Sequence, residues 1–243
     1  MNIAGFSPFL ALLLWSRVRA RAQKRLGVEL ARKCSKQLEE CRKDGKTANT
    51  YFLVRHGESE ANVVGIISSD PKIGTKKHGL SEKGKEQAAA AGQQLNSFLV
   101  ENSIPESRVF IHSSDFTRAR ETAETIHSSL RLENQLYFCE HIRERFFGEF
   151  EGKSNKHYDD VWNFDKCDAF HNEFDSESVA EVAQRAFKVV LDFEKQHSDD
   201  ICVIVAHGDL LQILRTTLEM EFPPAHHRSS PHLTTASVTR LNI

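Results

Sequence analysis

The sequence has few cysteines, and their spacing builds neither a disulfide framework nor a zinc site. Its 243 residues include five cysteines, an odd number, and no CxxC pair. Small secreted domains that depend on disulfides pair an even number of cysteines, so five thiols indicate a reducing compartment such as the cytosol. The twelve histidines form no HExxH pattern and no Cys/His spacing typical of zinc. No metal is therefore expected.

The sequence also lacks an apolar run long enough to span a membrane as a helix. Its most apolar segment, Ile3 to Trp15, contains 13 residues, whereas a spanning helix needs about 20. No charged side chain precedes this segment, although a secretory signal begins with basic residues. Basic residues follow it instead, from Arg17 to Arg25, and no acidic residue occurs before Glu29. The pattern argues against a secretory signal and against a full membrane span.

Three interpretations of residues 3–25 stay open. They are an interfacial or short membrane anchor with its basic flank on the cytoplasmic side, an organellar presequence, and a helix packed on the protein. We expect the protein in the cytoplasm, on the cytoplasmic face of a membrane or, if the segment is a presequence, in an organelle such as the mitochondrion. Contact with a membrane is expected only through residues 3–25.

Negative charge dominates most of the chain. The first 49 residues carry 11 basic and 4 acidic side chains, which leaves 21 basic and 30 acidic ones for residues 50–243. This excess of acid argues against nucleic acid as a partner of the larger part. An amphipathic helix is predicted from Gln23 to Arg42, and a polar, helix-breaking segment follows it. We therefore predict two parts, a basic N-terminal segment at residues 1–49 and one larger domain at residues 50–243.

Short apolar runs alternate with amphipathic segments throughout the larger part. The runs that predict strands are Tyr51–Val54, Arg108–Ile111, Leu136–Ile142, Ile201–Ala206 and Val238–Ile243. Predicted helices cover Glu82–Val100, Phe116–Leu130, a segment from Ser176 or Ser178 to His197, and Asp209–Met220. Residues 63–80 predict a long loop, and residues 153–175 an irregular lid over a pocket. The alternation predicts an α/β three-layer sandwich, with a mostly parallel central sheet and helices on both faces.

A basic pair follows the first predicted strand directly. Arg55 and His56 come after Val54, and Gly57 allows a ligand to approach the backbone. In an open α/β sheet, ligands bind at the carboxyl ends of the strands. A permanently charged guanidinium beside a titratable imidazole is typical of a site that binds an anion and reacts with it. Taken alone, the three residues fit a solvated loop better than a reactive site.

Three further segments place ionisable residues just past predicted strands. Arg118 lies in the first turn of a helix, where the helix dipole favours an anion, and Glu144 and His207 follow the next two strands. Together the segments supply two guanidiniums, two imidazoles and one carboxyl group. Arginines hold phosphate oxygens, an imidazole attacks phosphorus, and a carboxylic acid with a raised pKa protonates the leaving oxygen. The set therefore predicts phosphoryl transfer.

Four sequence stretches that contain these residues resemble the signatures of the histidine phosphatase superfamily, which includes the phosphoglycerate mutases. They are VRHGESEAN at Val54–Asn62, SSDFTRARETA at Ser113–Ala123, IRERFFGEFEG at Ile142–Gly152 and VAHG at Val205–Gly208. The resemblance extends from about Thr50 to Ile243 in the family's order. It implies that residues 50–243 are a histidine phosphatase catalytic domain with the phosphoglycerate mutase-like fold.

The resemblance also implies a role for each matching residue. His56 is expected to be the phosphorylated nucleophile, and Glu144 the proton donor that later activates water. The expected phosphate-binding groups are Arg55, Asn62, Arg118, His207 and the Gly208 amide. Neither a cofactor nor a metal is implied. A histidine cluster near the end of the chain, His226, His227 and His232, is interpreted as part of a solvated loop rather than as a metal site.

A phosphatase is favoured over a mutase. In the mutases of this family, a longer insertion after the glutamate motif carries extra arginines. Residues 152–175 of this chain contain lysines and no arginine. We therefore expect a metal-independent phosphomonoester hydrolase of the histidine acid phosphatase type. A phosphoglycerate mutase-type phosphotransferase and a silent phospho-ligand or protein-binding module are the alternatives. The expected partner is a phosphorylated small molecule, or else a phosphoprotein, and the sequence gives no oligomeric state.

Overall fold

A computed structural model of the chain describes residues 27–42 and 48–243. Residues 27–42 are helical (α1), and Cys34 and Leu38 of this helix are buried in the same core as Tyr51 of the first strand. Within the described ranges, no helix is both long and apolar enough to cross a membrane. The predicted anchor, presequence or packed helix at residues 3–25 lies outside the described residues.

A five-stranded sheet forms the centre of the molecule. The strands are β1 (Thr50–Arg55), β2 (Val109–Ser113), β3 (Tyr137–Phe138), β4 (Ile201–Ala206) and β5 (Val238–Arg240), in the spatial order β3-β2-β4-β1-β5. The pairs β3 with β2, β2 with β4 and β4 with β1 are parallel, and β5 is antiparallel to β1. The predicted α/β class with a mostly parallel sheet is confirmed.

Helices cover both faces of this sheet. They are α2 (Glu60–Val64), α3 (Pro71–Gly74), α4 (Glu82–Glu101), α5 (Thr117–Ser129), α6 (Tyr158–Asp165), α7 (Val179–Gln196) and α8 (Gly208–Glu219). Side chains alternate along a strand, so Phe52 and Val54 pack with α4 and α5, whereas Leu53 packs with α7 and α8 on the other face. The result is the predicted three-layer sandwich.

The third strand is shorter than predicted. Only Tyr137 and Phe138 pair with β2, and residues 140–142 form a 3-10 turn instead. The Arg185 guanidinium on α7 donates to the carbonyls of His141 and Arg143, both at 2.8 Å, and so takes these carbonyls away from sheet pairing. Because β3 is an edge strand, no further strand holds the segment in the sheet.

The predicted long loop and the predicted lid both contain helical turns. Ser59 and Asn62 form a capping box at the start of α2, and Asp70 caps α3, which begins at Pro71. Helices this short have no amphipathic repeat, so the sequence pattern missed them. Residues 158–165 of the lid segment form α6. At α7, Ser178 and not Ser176 is the N-cap.

Candidate active site

The parallel pairing of β1 with β4 brings two histidines together at the carboxyl edge of the sheet. Arg55 is in register with Ala206, and the His56 amide donates to the Ala206 carbonyl at 2.9 Å. The imidazole rings of His56 and His207 therefore lie side by side, with centroids 5.2 Å apart. Arg118 enters from the first turn of α5, after the neighbouring strand β2. The structure thus gathers residues that are far apart in the sequence.

His56 is held in the form that a nucleophile needs. Its Nδ1 lies 2.7 Å from the Gly57 carbonyl, which can only accept, so Nδ1 carries the proton. Its Nε2 then has the free electron pair and accepts from Arg118 Nε at 3.0 Å. Burial, and then the positive charges of Arg118 and Arg55, lower the pKa of His56 well below 6.5. The ring is therefore neutral, with Nε2 facing the arginine.

Three buried polar atoms around His56 have no hydrogen-bond partner in the part of the chain that the structure describes. They are Nε of Arg55, Nη1 of Arg118 and Nδ1 of His207. Arg118 Nη2 donates to the Ser68 carbonyl at 3.0 Å, and Arg55 Nη1 to the Leu233 carbonyl at 2.8 Å. Among the described residues, no carboxylate lies within ion-pair distance of either guanidinium. Buried, unpaired donor atoms on these two arginines make a site for an anion.

Close backbone approaches fix the loop that carries His56. The Gly57 amide donates to Thr122 Oγ1 of α5 at 3.1 Å. A Cβ atom at Gly57 would lie 2.4 Å from the Gly84 carbonyl oxygen of α4, so only glycine fits there. At Gly208, the first residue of α8, a Cβ atom would lie 3.3 Å from Arg55 Nε. Small residues therefore allow the arginine to lie against the start of α8.

Among the described residues, Glu144 is a carboxyl group whose charge acts on both pocket arginines. Its Oε1 accepts from the backbone amides of Arg145, at 2.9 Å, and Leu210, at 3.2 Å. Burial raises the pKa of Glu144 above 4.5, the nearby charge of Asp209 raises it further, and Arg118 acts in the opposite direction. A carboxyl group in this environment keeps its proton to higher pH than an exposed one. It can therefore act as a general acid.

A second buried charge network, which no sequence pattern predicts, lies next to Glu144. Arg145 is fully buried and donates to both oxygens of Asp165, at 2.7 and 2.8 Å, and to Asp209 at 3.3 Å. Asp209 also accepts from Trp162 Nε1 at 3.0 Å and contacts His227 Nε2 at 2.9 Å. The alternating charges of Arg143, Glu144 and Arg145 were the available signal, but partners this distant in sequence cannot be read from a pattern.

Helix α6 contributes aromatic side chains to the rim of the site. Tyr158 stacks on Trp162 with ring centroids 5.2 Å apart and meets Phe147 edge to face at 4.7 Å. Burial raises the pKa of Tyr158, and the charges of Glu144 and Arg118 also act on it. The Tyr158 side chain therefore lies within electrostatic reach of Glu144 and Arg118, and a lid role for this segment stays a prediction.

The other predicted residues have different environments. Asn62 is exposed, and its side-chain oxygen accepts from the Ser59 amide at 3.1 Å and from Ser59 Oγ at 3.0 Å. Its oxygen thus caps α2, and its binding of phosphate stays a prediction. The solvated-loop interpretation of the histidine cluster is wrong for His227, which is buried against Asp209. His232 lies instead beside Arg55, with Nε2 3.0 Å from Nη1.

Comparisons with known proteins agree with this arrangement. Residues 51–243 match the model of the histidine phosphatase superfamily, branch 1. A 2,3-bisphosphoglycerate-dependent phosphoglycerate mutase of Bartonella henselae is 26% identical over 178 residues, which cover 70% of this chain and 81% of the mutase. A protein of Schizosaccharomyces pombe named as a probable phosphatase is 26% identical over 167 residues, covering 68% of this chain and 71% of that protein.

A solved structure with the same fold is a mycobacterial glucosyl-3-phosphoglycerate phosphatase in complex with VO3. It is 26% identical, with a TM-score of 0.65, and the match covers 80% of this chain and 93% of that one. The relatives therefore include both phosphatases and mutases, as the four sequence motifs predicted.

Proposed function

This chain belongs to the histidine phosphatase superfamily, branch 1, and on that premise we propose that it hydrolyses phosphomonoesters through a phosphohistidine on His56. The observation that carries the proposal is the neutral His56 ring, whose unprotonated Nε2 lies among unpaired cationic donors. Such a pocket binds a phosphoryl group and presents a nucleophile to it. The substrate is a phosphorylated small molecule.

The first step transfers the phosphoryl group to the enzyme. Arg55, Arg118 and His207 hold its oxygens and neutralise the charge that spreads over them in the transition state. The Nε2 electron pair of His56 forms the P–N bond while the P–O bond to the leaving group breaks. The carboxyl group of Glu144 gives its proton to the departing oxygen, which leaves as an alcohol.

The second step returns the enzyme to its starting state. The Glu144 carboxylate takes a proton from a water molecule as the water oxygen attacks phosphorus. A P–O bond forms, the P–N bond breaks, and inorganic phosphate leaves. His56 is again neutral, and Glu144 again holds its proton, so one ester and one water become one alcohol and one phosphate.

Phosphoglycerate mutase chemistry is the alternative. The similarity to the Bartonella henselae mutase favours it. Hydrolysis is favoured by the absence of arginine from residues 152–175 and by the similarity to the mycobacterial phosphatase. The two reactions differ in the acceptor of the phosphoryl group, which is water in one and a second substrate oxygen in the other.

The test is release of phosphate by the full chain from a panel of phosphomonoesters, with a metal chelator present. We expect activity in the wild type and in His127→Ala, a control for an unrelated histidine, and none in His56→Ala. Acid-labile, base-stable phosphate on the wild-type protein would identify the phosphohistidine. Activity retained by His56→Ala would overturn the proposal, and isomerisation of a phosphoglycerate without phosphate release would favour the mutase.

A further inference from the structure

The segment that carries Glu144 has no regular secondary structure of its own. Strand β3 ends at Phe138, a 3-10 turn covers residues 140–142, and the next turn begins at Gly148. Residues 143–147 between these turns belong to no helix or strand. The position of the Glu144 backbone therefore depends on contacts with other parts of the protein.

One arginine of α7 contacts this backbone at three points. Nη1 of Arg185 donates to the carbonyls of His141 and Arg143, both at 2.8 Å, and Nη2 donates to the Glu144 carbonyl at 3.2 Å. A guanidinium is planar and rigid, so the carbonyls that it binds are held in a fixed relative position. The arginine thus holds Glu144 together with the turn that precedes it.

Glu177, just before α7, holds the guanidinium in place. Its Oε1 accepts from Arg185 Nε at 2.6 Å, and its Oε2 accepts from Arg185 Nη2 at 2.8 Å. The Glu177 backbone adds two further links, because its amide donates to the Phe146 carbonyl at 2.9 Å and its carbonyl accepts from Arg145 Nε at 2.6 Å. Glu177 and Arg185 therefore support the chain on both sides of Glu144.

Every N–H group of Arg185 is used in these contacts. A guanidinium has five N–H groups, and Arg185 makes five hydrogen bonds, three to backbone carbonyls and two to the Glu177 carboxylate. Arg118 differs, since its Nη1 has no hydrogen-bond partner among the described residues. Arg185 therefore has no donor left for a phosphoryl group. It affects the reaction only through the residues that it holds and through its charge.

The Glu144 carboxyl group has to reach the reacting oxygen. Its Oε1 accepts from the amides of Arg145 and Leu210, so the carboxyl group lies between the held backbone and the start of α8. A general acid acts within about 2.6–3.2 Å of the oxygen that it protonates. A displacement of about 1 Å therefore costs on the order of a hundredfold in rate.

We propose that Arg185 is a positioning residue for both proton transfers of Glu144. By holding the Glu144 backbone, it keeps the carboxyl group within reach of the leaving oxygen in the first step and of water in the second. This proposal rests on the proposed function and deepens it. The proton passes from the Glu144 carboxyl group to the leaving oxygen as the P–O bond breaks, and Arg185 neither gives nor takes a proton.

The test compares two esters that differ in their need for a proton. An alkyl phosphate requires protonation of its leaving oxygen, whereas nitrophenolate leaves without it. In Arg185→Gln we expect kcat/KM for the alkyl ester to fall about 100-fold, and kcat/KM for nitrophenyl phosphate to change little. Arg215→Gln is the matched control and should change neither value. Arg215 is an arginine of α8 that pairs with Glu219, and its side chain is 16% exposed against 18% for Arg185.

Arg185→Lys separates position from charge. Burial, and then nearby charges that include Arg185, lower the pKa of His207, and a lysine keeps this positive charge. Its single ammonium group cannot hold three carbonyls and a carboxylate in one plane. We therefore expect Arg185→Lys to show the same selective loss for the alkyl ester as Arg185→Gln. Full activity of Arg185→Lys, or equal slowing of both esters, would overturn the proposal.

A double-mutant cycle shows whether Arg185 acts through Glu144. In a Glu144→Gln background the proton donor is already gone, so Arg185→Gln should slow the alkyl ester no further. If the two losses multiply instead, Arg185 acts elsewhere and the proposal is wrong. Glu177→Gln removes the charge that orients the arginine, and it should give a smaller loss that is again selective for the alkyl ester. It takes the place of Arg185→Gln if that variant fails to fold.

Amide hydrogen exchange separates this proposal from the proposed function, because it needs no turnover. The amides of Arg145 and Leu210 donate to the Glu144 carboxyl group. In free Arg185→Gln, both amides should exchange roughly tenfold faster than in the wild type, while the amides of β4 keep their rates. Faster exchange in a protein that hydrolyses no ester would support the positioning role and refute the phosphatase. Unchanged exchange, with hydrolysis of both esters intact in Arg185→Gln, would refute the positioning role and leave the phosphatase.

Discussion

Two buried arginines, Arg118 and Arg145, have opposite surroundings. Arg145 is fully buried and donates to Asp165, Asp209 and the Glu177 carbonyl. Arg118 is 4% exposed and contacts an imidazole nitrogen and one carbonyl, with one N–H group unpaired. Carboxylates raise the pKa of Arg145 in spite of its burial, whereas burial lowers the pKa of Arg118. The Arg145 guanidinium has its counter-ions within the protein. The Arg118 guanidinium has none among the described residues and can pair with an anion from outside.

The contrast separates residues that stabilise the fold from residues that bind a ligand. A buried ion pair that loses one partner leaves an uncompensated charge, which destabilises the folded state strongly. A buried cation that has no counter-ion already disfavours the folded state. Removing Arg145 should therefore damage stability, and removing Arg118 should damage function alone.

The largest effect is expected from Arg118→Met. We expect kcat for phosphomonoester hydrolysis to fall roughly 10³-fold, because an arginine that neutralises a transferring phosphoryl group contributes on this scale. The free energy of unfolding should stay the same or rise, since no anion pairs with the guanidinium in the free protein. Phosphate release and urea unfolding measure the two quantities. A loss in the free energy of unfolding as large as that of Arg145→Met would contradict the distinction between a ligand-binding and a structural arginine.

Arg145→Met should lower the stability of the protein strongly and its activity much less. It leaves Asp165 and Asp209 buried beside each other without their cation, so we expect a loss of about 3–5 kcal/mol in the free energy of unfolding. Urea unfolding with Arg240→Met as an exposed control measures this loss. Turnover per folded molecule should fall much less than in Arg118→Met, and a stable, inactive Arg145→Met protein would contradict our assignment of a structural role.

A phosphate-dependent gain in stability should sharpen the comparison further. Inorganic phosphate at about 100 times its Kd should stabilise the wild type by roughly 2.7 kcal/mol, because it binds only the folded state. Arg118→Met should show little of this gain. Thermal unfolding with phosphate, and with sodium chloride at equal ionic strength, tests the expectation. Equal stabilisation of both proteins would mean that phosphate binds elsewhere.

The smallest predicted effect concerns pH. Burial lowers the pKa of His56 well below 6.5 and raises that of Glu144 above 4.5. Hydrolysis needs His56 neutral and Glu144 protonated, so kcat/KM for an alkyl phosphate should be highest at acidic pH and fall as pH rises through the raised pKa of Glu144. In Glu144→Gln the fall should disappear, with nitrophenyl phosphate slowed less than the alkyl ester. Equal slowing of both esters would exclude Glu144 as the acid.

Local sequence signals predicted a place in the site for Arg118 but gave no role to Arg145. Arg118 follows a strand, and such positions converge wherever parallel strands end at one edge of a sheet. His56 and His207 likewise follow β1 and β4 directly, whereas β3 ends at Phe138, before Glu144. Arg145 pairs with residues 20 and 64 positions away, and no periodicity encodes such a pairing.

The same limit applies to the rim of the site. Arg228 meets Trp162 only because the segment after α8 packs against α6, so its position depends on tertiary packing. A pattern-based interpretation consequently described the segment after α8 as a solvated loop. Short helices were missed for a related reason, since a single turn such as α3 is fixed by its Asp70 cap and shows no repeat.

Strand β1 lies between β4 and β5 in the sheet, and this position has a consequence for synthesis of the protein. Both of its neighbours, β4 and β5, come from residues 201–243. At about 5–20 residues per second, a ribosome makes β1 several seconds before either neighbour exists. During this time both edges of an apolar strand are open and His56 has no companion, so a chain that stops before β4 lacks the histidine pair and is prone to aggregate. Only chains that extend past His207 contain both histidines.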